Sequence, residues 1–365
     1  MLIVSINLVN HFMLALIYAS TLIMLVIGLN MTYSVLKFSN FAHAEFITLG
    51  MFLGWWSLQA LSFLISPSLP FGDLINNIFV QACFSFIGVG VFGIICDKLV
   101  FGRLRAQDAN ITTFVVASIG IGFVARYMFG MIWGELPVPG ATYSSIPSFP
   151  GFIPEIFRKS RYNIPLFNSP FGIQRIAVTN FELYIIVFAF ILVFVVDWFF
   201  KNTKLGIAMR ATSDSHELAQ VTGIDTQRII YYTWFIAAGI TGFAGAWVRA
   251  KQNSFSIVDG NQVYLLPVFA VAILGGIGSF RGGIIAAFIL AYARQATVIL
   301  FSQFEVPNGI FPLEKWLGSI NILGFHGITF APGYADGIGF AILIIVLLFR
   351  PQGIMGSVET GRERV

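Results

Sequence analysis

The chain has 365 residues, of which 57% are hydrophobic and only 10% are charged, and its mean hydropathy is +0.84. Soluble domains carry about 25% charged residues, so this composition excludes an ordinary soluble protein and indicates a polytopic membrane protein. The net charge of +4 does not predict a nucleic-acid partner, because basic residues of membrane proteins gather in cytoplasmic loops. The two cysteines lie in one apolar run and predict neither a disulfide framework nor a metal site.

Apolar runs close to the ~20 residues that cross a bilayer recur along the chain. We predict an all-α polytopic membrane protein with about eight to ten transmembrane helices. The first run lacks the flanks of a cleaved signal peptide and is expected to be a retained span. We expect the glycine-broken run near 263–283 and the short last run to be re-entrant or tilted. The predicted runs are 8–32, 41–65, 74–101, 110–133, 181–200, 229–250, 263–280, 282–304 and 334–349.

Lysine and arginine residues concentrate in alternate loops, which predicts that these loops face the cytoplasm. The N-terminus is then outside and the C-terminus inside. The loop 134–180 is predicted to be extracytoplasmic and irregular, since its length dilutes the charge rule. It either folds over the outer mouth or lies on the headgroups without a specific role. The basic residues on the predicted inner side are Lys37, Arg103, Arg105, Lys201, Lys204, Arg210, Arg228, Arg281, Arg350, Arg362 and Arg364.

The segment 201–228 is polar and helix-prone, although it lies between two apolar runs. A helix from 207 to 221 would place Met209, Leu218 and Val221 among polar residues, so that an apolar edge can enter a groove on a soluble partner. Gly223 is suited to end that helix as a C-cap. The alternative is a surface helix that lies at the headgroups without a partner.

Polar side chains interrupt the apolar sequence between residues 40 and 48. A charge at the centre of a membrane helix costs about 2.5 kcal/mol or more when it faces hydrocarbon, so these side chains should face protein or water. A broken helix here would direct polar groups at a zwitterionic solute, as in other transporters. Asn40, His43, Glu45 and Thr48 are therefore candidates for a substrate path or gate. A buried polar cluster that joins the first two spans is an equally good interpretation.

Glycines cluster in the stretch LGGIGSFRGG, residues 274–283, where backbones or solute must come close. Gly275, Gly276 and Gly278 are predicted to line the path or to pack against a neighbour. Gly50 and Gly54 form a GxxxG pair, which is typical of helix contacts.

Two arginines, Arg126 and Arg294, lie inside apolar runs. Each could line a water-filled cavity or pair with a carboxylate, and Arg126 could also extend its side chain to the membrane surface.

Motifs of soluble enzymes are absent from the sequence. Without a GxxxxGK[ST] phosphate loop, nucleotide would have to bind to another polypeptide. HExxH, GxSxG and CxxC are also absent, so we expect no enzyme activity, no cofactor and no metal in this chain.

Three segments resemble the branched-chain amino acid permease family of ABC importers. The first, 28–50, departs from the family pattern at Ala44, where glycine is usual. The third, 272–290, carries Arg281 and Gly282 in place of the usual Pro and Gly. A further resemblance is the end of the last span, RPQGIMG. The matching residues of the first two segments are Asn40, Phe41, Ala42, His43, Glu45, Phe46, Leu49, Gly50, Gly206, Arg210, Ala211, Glu217, Ala219, Gly223, Ile224 and Asp225.

The resemblance implies one permease domain over 1–365, embedded in membrane lipid. Its partners would be ABC ATPase subunits, a second homologous permease subunit and an extracytoplasmic solute-binding protein. In this family the segment 201–228 engages the ATPase. The coupling residues implied are Arg210, Glu217, Leu218, Ala219 and Gly223.

The implied substrates are branched-chain or other apolar amino acids. Urea and short amides are carried by close relatives with the same motifs. A secondary transporter or channel is a further alternative, but it would be expected to place coupling carboxylates within its spans, and Glu45 alone lies well inside one.

Overall fold

The computed structural model describes residues 8–64, 78–133, 138–139, 161–169, 172–251, 254–303, 335–350 and 352–356. In this part of the chain, six helices are long and apolar enough to cross a membrane. His43–Leu64, Gly260–Gly275 and Ala335–Phe349 coincide with the other predicted runs, so every predicted run contains helix. The all-α polytopic fold is thereby confirmed. The six are Leu8–Leu36, Ile78–Ala106, Ile111–Ile132, Glu182–Asn202, Thr226–Lys251 and Phe280–Ile299.

Helices make up most of both halves of the described chain, and the strands are short. The first half contains α1 (Leu8–Leu36), α2 (His43–Leu64), α3 (Ile78–Cys96), a π-helical turn (Asp97–Phe101), α4 (Gly102–Ala106) and α5 (Ile111–Trp133). The strands are β1 (Val138–Pro139), β2 (Arg161–Ser169), β3 (Gly172–Thr179) and β4 (Ser254–Phe255). The second half contains α6 (Asn180–Asn202), α7 (Lys204–Asp214), α8 (His216–Val221), α9 (Thr226–Lys251), a π-helical turn (Gly260–Leu265), α10 (Leu266–Gly275), α11 (Phe280–Gln303) and α12 (Ala335–Phe349).

The described parts of the loop 134–180 are more regular than its sequence suggested. Strands β2 and β3 form an antiparallel hairpin, and β1 pairs with β4. The hairpin lies beside the start of α1, where the Asn10 side chain accepts a hydrogen bond from the Ala177 backbone N–H at 3.0 Å. Residues 140–160 lie outside the described part, so the suggestion that this loop covers the outer mouth stays a prediction.

Helix α9 is the centre of the bundle, because its small residues let three other helices come close. A Cβ atom on Gly50 of α2 would lie 2.5 Å from the carbonyl oxygen of Gly242 in α9. One on Gly54 would lie 3.1 Å from Ala246 of the same helix, so the predicted GxxxG contact is confirmed. On another side, a Cβ atom on Gly28 of α1 would overlap the Thr241 hydroxyl oxygen.

The two halves of the bundle show the same packing in opposite directions. Helix α9 packs against α2 and α3, just as α1 packs against α10 and α11, and α1 and α9 pack against each other. Helix α1 begins beside the hairpin and ends beside α7, whereas α9 begins beside α8 and ends near β4. A long helix, a break, a second helix and a third helix therefore follow one another in both halves, and α1 and α9 run in opposite directions, as in the inverted repeats of many transporters.

One end of the bundle carries the loops predicted to be cytoplasmic. The Ser213 hydroxyl donates to the Ser34 carbonyl at 2.6 Å, which joins α7 to the end of α1. The C-terminal segment reaches the same end, where the Ile354 and Met355 N–H groups donate to the carbonyls of Leu274 and Gly275 at 2.8 and 3.0 Å. These bonds satisfy the last carbonyls of α10.

The polar segment 201–228 differs from the single helix predicted over 207–221. It contains α7 and α8, which are separated at Ser215, whose side chain accepts the Leu218 N–H and begins α8 as its N-cap. Met209 is fully buried against the bundle, so the prediction that it belongs to an exposed apolar edge is wrong. The edge consists of Leu218 and Val221, which are exposed.

We predict that Gly50→Ala lowers the melting temperature of the purified protein, because the new methyl group overlaps the α9 backbone. Overpacking of this kind costs about 1–3 kcal/mol. Gly120→Ala is the matched control, since Gly120 lies in the exposed face of α5 and a Cβ atom there has no neighbour within 4 Å. Equal melting temperatures for the two variants would contradict the proposed α2–α9 contact.

Candidate functional site

The chain is interrupted between α1 and α2, at residues 37–42, whereas the sequence suggested a break within the polar stretch 40–48. Lys37 has a positive φ of 58°, and the next helix begins only at His43. The His43 ring Nε2 lies 3.1 Å from the Leu25 carbonyl oxygen, eleven residues before the end of α1. Eleven residues of helix span roughly 16 Å, about half of the hydrocarbon core, so α2 begins near the middle of the bundle.

A second interruption meets the first. After β4 the chain enters the π-helical turn at Gly260, whose N–H donates to the Thr48 hydroxyl oxygen at 3.2 Å. Thr48 in turn donates to the Ala44 carbonyl at 3.3 Å. A Cβ atom on Gly260 would overlap that carbonyl oxygen, so the contact requires glycine. The starts of two helices that are far apart in sequence are thereby joined.

A cavity of about 190 Å³ lies beside this junction, between α2, α5 and the second π-helical turn. This volume is well above the ~10–15 Å³ that a single water molecule requires, so the cavity can hold water. The wall combines two charged side chains and an amide with aliphatic and aromatic groups. The lining residues are Phe41, Glu45, Ile119, Gly122, Phe123, Arg126, Asn261 and Leu265.

An ion pair forms the charged part of this wall. Arg126 donates from Nε at 3.0 Å and from Nη2 at 2.5 Å to the same oxygen, Oε1 of Glu45. The Glu45 side chain is 1% exposed and that of Arg126 is 17% exposed. The second carboxylate oxygen, Oε2, is buried without a hydrogen-bond partner among the described residues. The pair thus neutralises the charge of Glu45 but leaves an acceptor unused.

Of the four polar candidates in this region, Glu45 lines the cavity and the others are buried in contacts within the bundle. The Asn40 side chain accepts the Ala42 N–H at 3.1 Å and so shapes the interruption itself. His43 lies between the Leu25 carbonyl and the Thr241 hydroxyl, which belong to α1 and α9. These three-way contacts also fit the interpretation that part of the cluster joins the first two spans.

The predicted glycines of the 274–283 stretch lie away from the cavity, at the end of the bundle that holds α7 and α8. Gly276 and Gly278 have φ angles of 96° and 85°, which favour glycine, and they form the turn between α10 and α11. The Gly278 N–H donates to the Asn30 side chain at 3.3 Å. A Cβ atom on Gly275 would overlap the Gly282 backbone, and one on Gly276 would overlap Gly356.

Sequence reasoning singled out Arg126 but could not find its partner. Glu45 and Arg126 are separated by 81 positions, and no local pattern joins them.

Two other arginines lie among apolar residues. The Cζ atom of Arg294 lies 4.7 Å from the ring centre of Tyr18, which is a cation–π distance. Arg249, at the end of α9, is fully buried and donates to the Gln81 side chain. In the sequence, Arg249 stands out only as a basic residue at the end of an apolar run.

The predicted coupling residues lie on α7, α8 and the turn that follows. Arg210 and Glu217 are exposed, as is Leu218 at 64%, whereas Ala219 is buried. Gly223 has a φ of 87° and ends α8, as predicted.

Two interactions hold the end of α8 in place. The Ile224 N–H donates to the Ala219 carbonyl at 3.0 Å, which completes a Schellman motif with glycine at its αL position. The Gln220 side chain donates to the Thr226 hydroxyl at 3.0 Å and so fixes α8 to the first residue of α9.

We predict that Glu45→Gln and Arg126→Gln each destabilise the protein, because each leaves the opposite charge buried without its partner. Breaking a buried pair costs about 3 kcal/mol, whereas the double variant Glu45→Gln/Arg126→Gln should lose clearly less than the sum of the two. Melting temperatures of the four proteins measure this coupling. Additive losses would show that the pair does not form.

Comparison with known proteins identifies the family. The model of the permease component of branched-chain amino acid transport systems matches residues 12–347. The high-affinity branched-chain amino acid transport system permease protein BraD of Pseudomonas aeruginosa is 23% identical over 344 residues, with 93% of each chain covered. LivH of Salmonella typhimurium, which carries the same description, is also 23% identical over 344 residues, covering 93% of this chain and 92% of its own.

An archaeal relative extends the match. The probable branched-chain amino acid transport permease protein LivH of Methanocaldococcus jannaschii is 24% identical over 345 residues, covering 94% of this chain and 90% of its own. No solved structure matches the chain at a significant level. With its membrane-spanning helices and a family match over nearly its whole length, this multi-pass membrane protein belongs to the family of permease components of branched-chain amino acid transport systems.

Proposed function

We propose that this chain is the permease subunit of an ATP-driven ABC importer that carries branched-chain or other apolar amino acids across the cell membrane. The observation that carries the proposal is the ion-paired cavity at the junction of two interrupted helices, in a chain that matches such permeases from residue 12 to residue 347. Interrupted helices of transporters supply polar groups at mid-depth, where solute passes. The cavity at Glu45 and Arg126 is part of the proposed path.

A second permease subunit covers the open side of this cavity. The wall formed by α5 presents apolar side chains outward, including Phe123, Tyr127 and Met131, which are at least half exposed. Arg126 is partly exposed on the same helix, and a guanidinium that faced hydrocarbon there would be costly. When a homologous subunit packs against α5, lipid is kept away from Arg126 and water can still enter the cavity.

The ATPase subunit docks on α7 and α8. Leu218 and Val221 are exposed to 64% and 85% in a polar segment, which suits insertion into an apolar groove. Arg210 and Glu217 flank this edge as polar contacts. The hydrogen bond from Gln220 to Thr226 then connects α8 to α9, the helix that contacts α1, α2 and α3. Movement of the ATPase is thereby passed to the centre of the bundle.

The end of the bundle that carries α7 and α8 faces the cytoplasm in this proposal. Lys37, Arg103, Arg281 and Arg350 belong to the loops and turns predicted for that side, in agreement with the positive-inside rule. The hairpin β2–β3 then faces outward, where a solute-binding protein delivers the amino acid. The N-terminus is outside and the C-terminus inside.

The deciding experiment is the ATPase activity of the purified complex in lipid vesicles, with its binding protein loaded with leucine, with urea or with nothing. We expect stimulation by the leucine-loaded form. Stimulation by the urea-loaded form alone would reassign the substrate to urea or short amides. A preparation that contains no ATPase would support a secondary transporter instead.

A second prediction concerns the coupling residues. Glu217→Ala combined with Gly223→Ala should leave membrane insertion intact but reduce leucine uptake per ATP hydrolysed by about tenfold, because alanine at a φ of 87° is strained and distorts the end of α8. Lys201→Ala is the control, since its exposed pair with Asp197 contributes little. Unchanged uptake in the double variant would remove the coupling role from α8.

A further inference from the structure

We propose that the cavity between α2, α5 and the second π-helical turn is a transient binding site for the ammonium group of the transported solute, with Glu45 as the acceptor. This inference rests on the proposed function and names the chemical group that the path recognises. The cavity, the buried ion pair and the unused carboxylate oxygen carry the argument together.

The acceptor is the Oε2 atom of Glu45. Both hydrogen bonds from Arg126 go to Oε1, and Oε2 is buried without a partner in the described part of the chain. Leaving a buried polar atom unsatisfied costs about 1–3 kcal/mol, and more when the group is charged. Because Oε2 is buried, a ligand reaches it only when the Glu45 side chain turns toward the cavity that it lines. A donor that bonds Oε2 in this way recovers the cost, so the site favours donors.

Among hydrogen-bond donors, an ammonium group fits the charged part of the cavity wall best. An ionised carboxylate only accepts hydrogen bonds, and an ammonium supplies three donors together with the opposite charge. The guanidinium of Arg126, next to the same carboxylate, can attract the carboxylate of a zwitterion. Asn261 adds an amide to the wall. A zwitterionic amino acid therefore finds both complementary charges side by side in one small cavity.

The remaining wall is apolar and suits an aliphatic side chain. Phe41, Ile119, Phe123 and Leu265 form it, and Phe41 is held by stacking on Phe269 at 4.6 Å between ring centres. The volume of about 190 Å³ is sufficient for a small aliphatic solute. Small branched side chains fit this combination.

The ion pair also keeps binding weak, which transport requires. An incoming ammonium must compete with Arg126 for the charge of Glu45, so that the solute is held briefly and then released. A binding site along a transport path must bind the solute strongly enough for it to enter and weakly enough for it to leave.

Equilibrium binding to the ABC complex in lipid nanodiscs, without the binding protein, tests the inference. Radiolabelled leucine is the probe. Two competitors each keep one charged group of leucine: isoamylamine keeps the ammonium, and 4-methylpentanoate keeps the carboxylate. Sodium chloride is compared with choline chloride to test for competition by an inorganic cation. We expect isoamylamine to displace leucine and 4-methylpentanoate to displace it much less. Displacement by sodium but not by isoamylamine would overturn the inference in favour of an inorganic cation.

Variants separate recognition from structure. Glu45→Gln should weaken leucine binding by about tenfold or more, as expected for the loss of a charged hydrogen bond. Binding of 4-methylpentanoate should not weaken in this variant, because Arg126 then lacks its partner and can bind a carboxylate. Asp97→Asn is the matched control, because Asp97 is equally buried and bonds Arg105 at 2.7 and 2.8 Å but lies outside the cavity. It should retain leucine affinity.

Leucine binding with wild-type affinity in Glu45→Gln, or no leucine binding to the wild-type complex at millimolar concentration, would overturn the inference. Neither result touches the proposed function, which fails only when the leucine-loaded binding protein does not stimulate the ATPase of the wild-type complex.

Discussion

Backbone N–H and C=O groups inside a membrane must find partners within the protein, because hydrocarbon offers none. The interruption before α2 meets this requirement with side chains. The Phe41 N–H donates to the Ser118 hydroxyl of α5 at 3.0 Å, and the Ala42 N–H donates to the Asn40 side chain. At the second interruption the Gly260 N–H uses Thr48 in the same way. These polar residues are what allow two helices to begin at mid-depth.

Surrounding the interruptions with protein requires close packing, and α9 provides it. Gly242, next to Thr241, lets α2 and α3 approach its backbone, since a Cβ atom there would lie 2.6 Å from the Ser85 carbonyl oxygen. Small residues replace the hydrophobic effect as the basis of helix association in a membrane. The inverted arrangement of the two halves has a structural consequence. It brings one interruption from each half to the same depth, so that their polar groups share one cavity.

Charge placement follows from the same constraint. A lone carboxylate at mid-depth would be costly, and Arg126 reduces that cost without using both oxygens of Glu45. Toward the other end of the bundle, Asp97 is paired by Arg105 through both of its oxygens. Asp97 thus uses both carboxylate oxygens in its pair, whereas Glu45 uses only one among the described residues.

The helical spans, the GxxxG contact of Gly50 and Gly54 and the glycine end of α8 followed from sequence, because hydropathy and helix caps act over a few neighbouring residues. The break at Ser215, the burial of Met209 and the hairpin β2–β3 did not follow from it, since packing against α1, α6 and α9 selects among local alternatives. The partners of Glu45 and Thr48 lie 81 and 212 positions away. Only the tertiary structure decided which side chains share the cavity, because contacts between distant segments depend on the path of the whole chain.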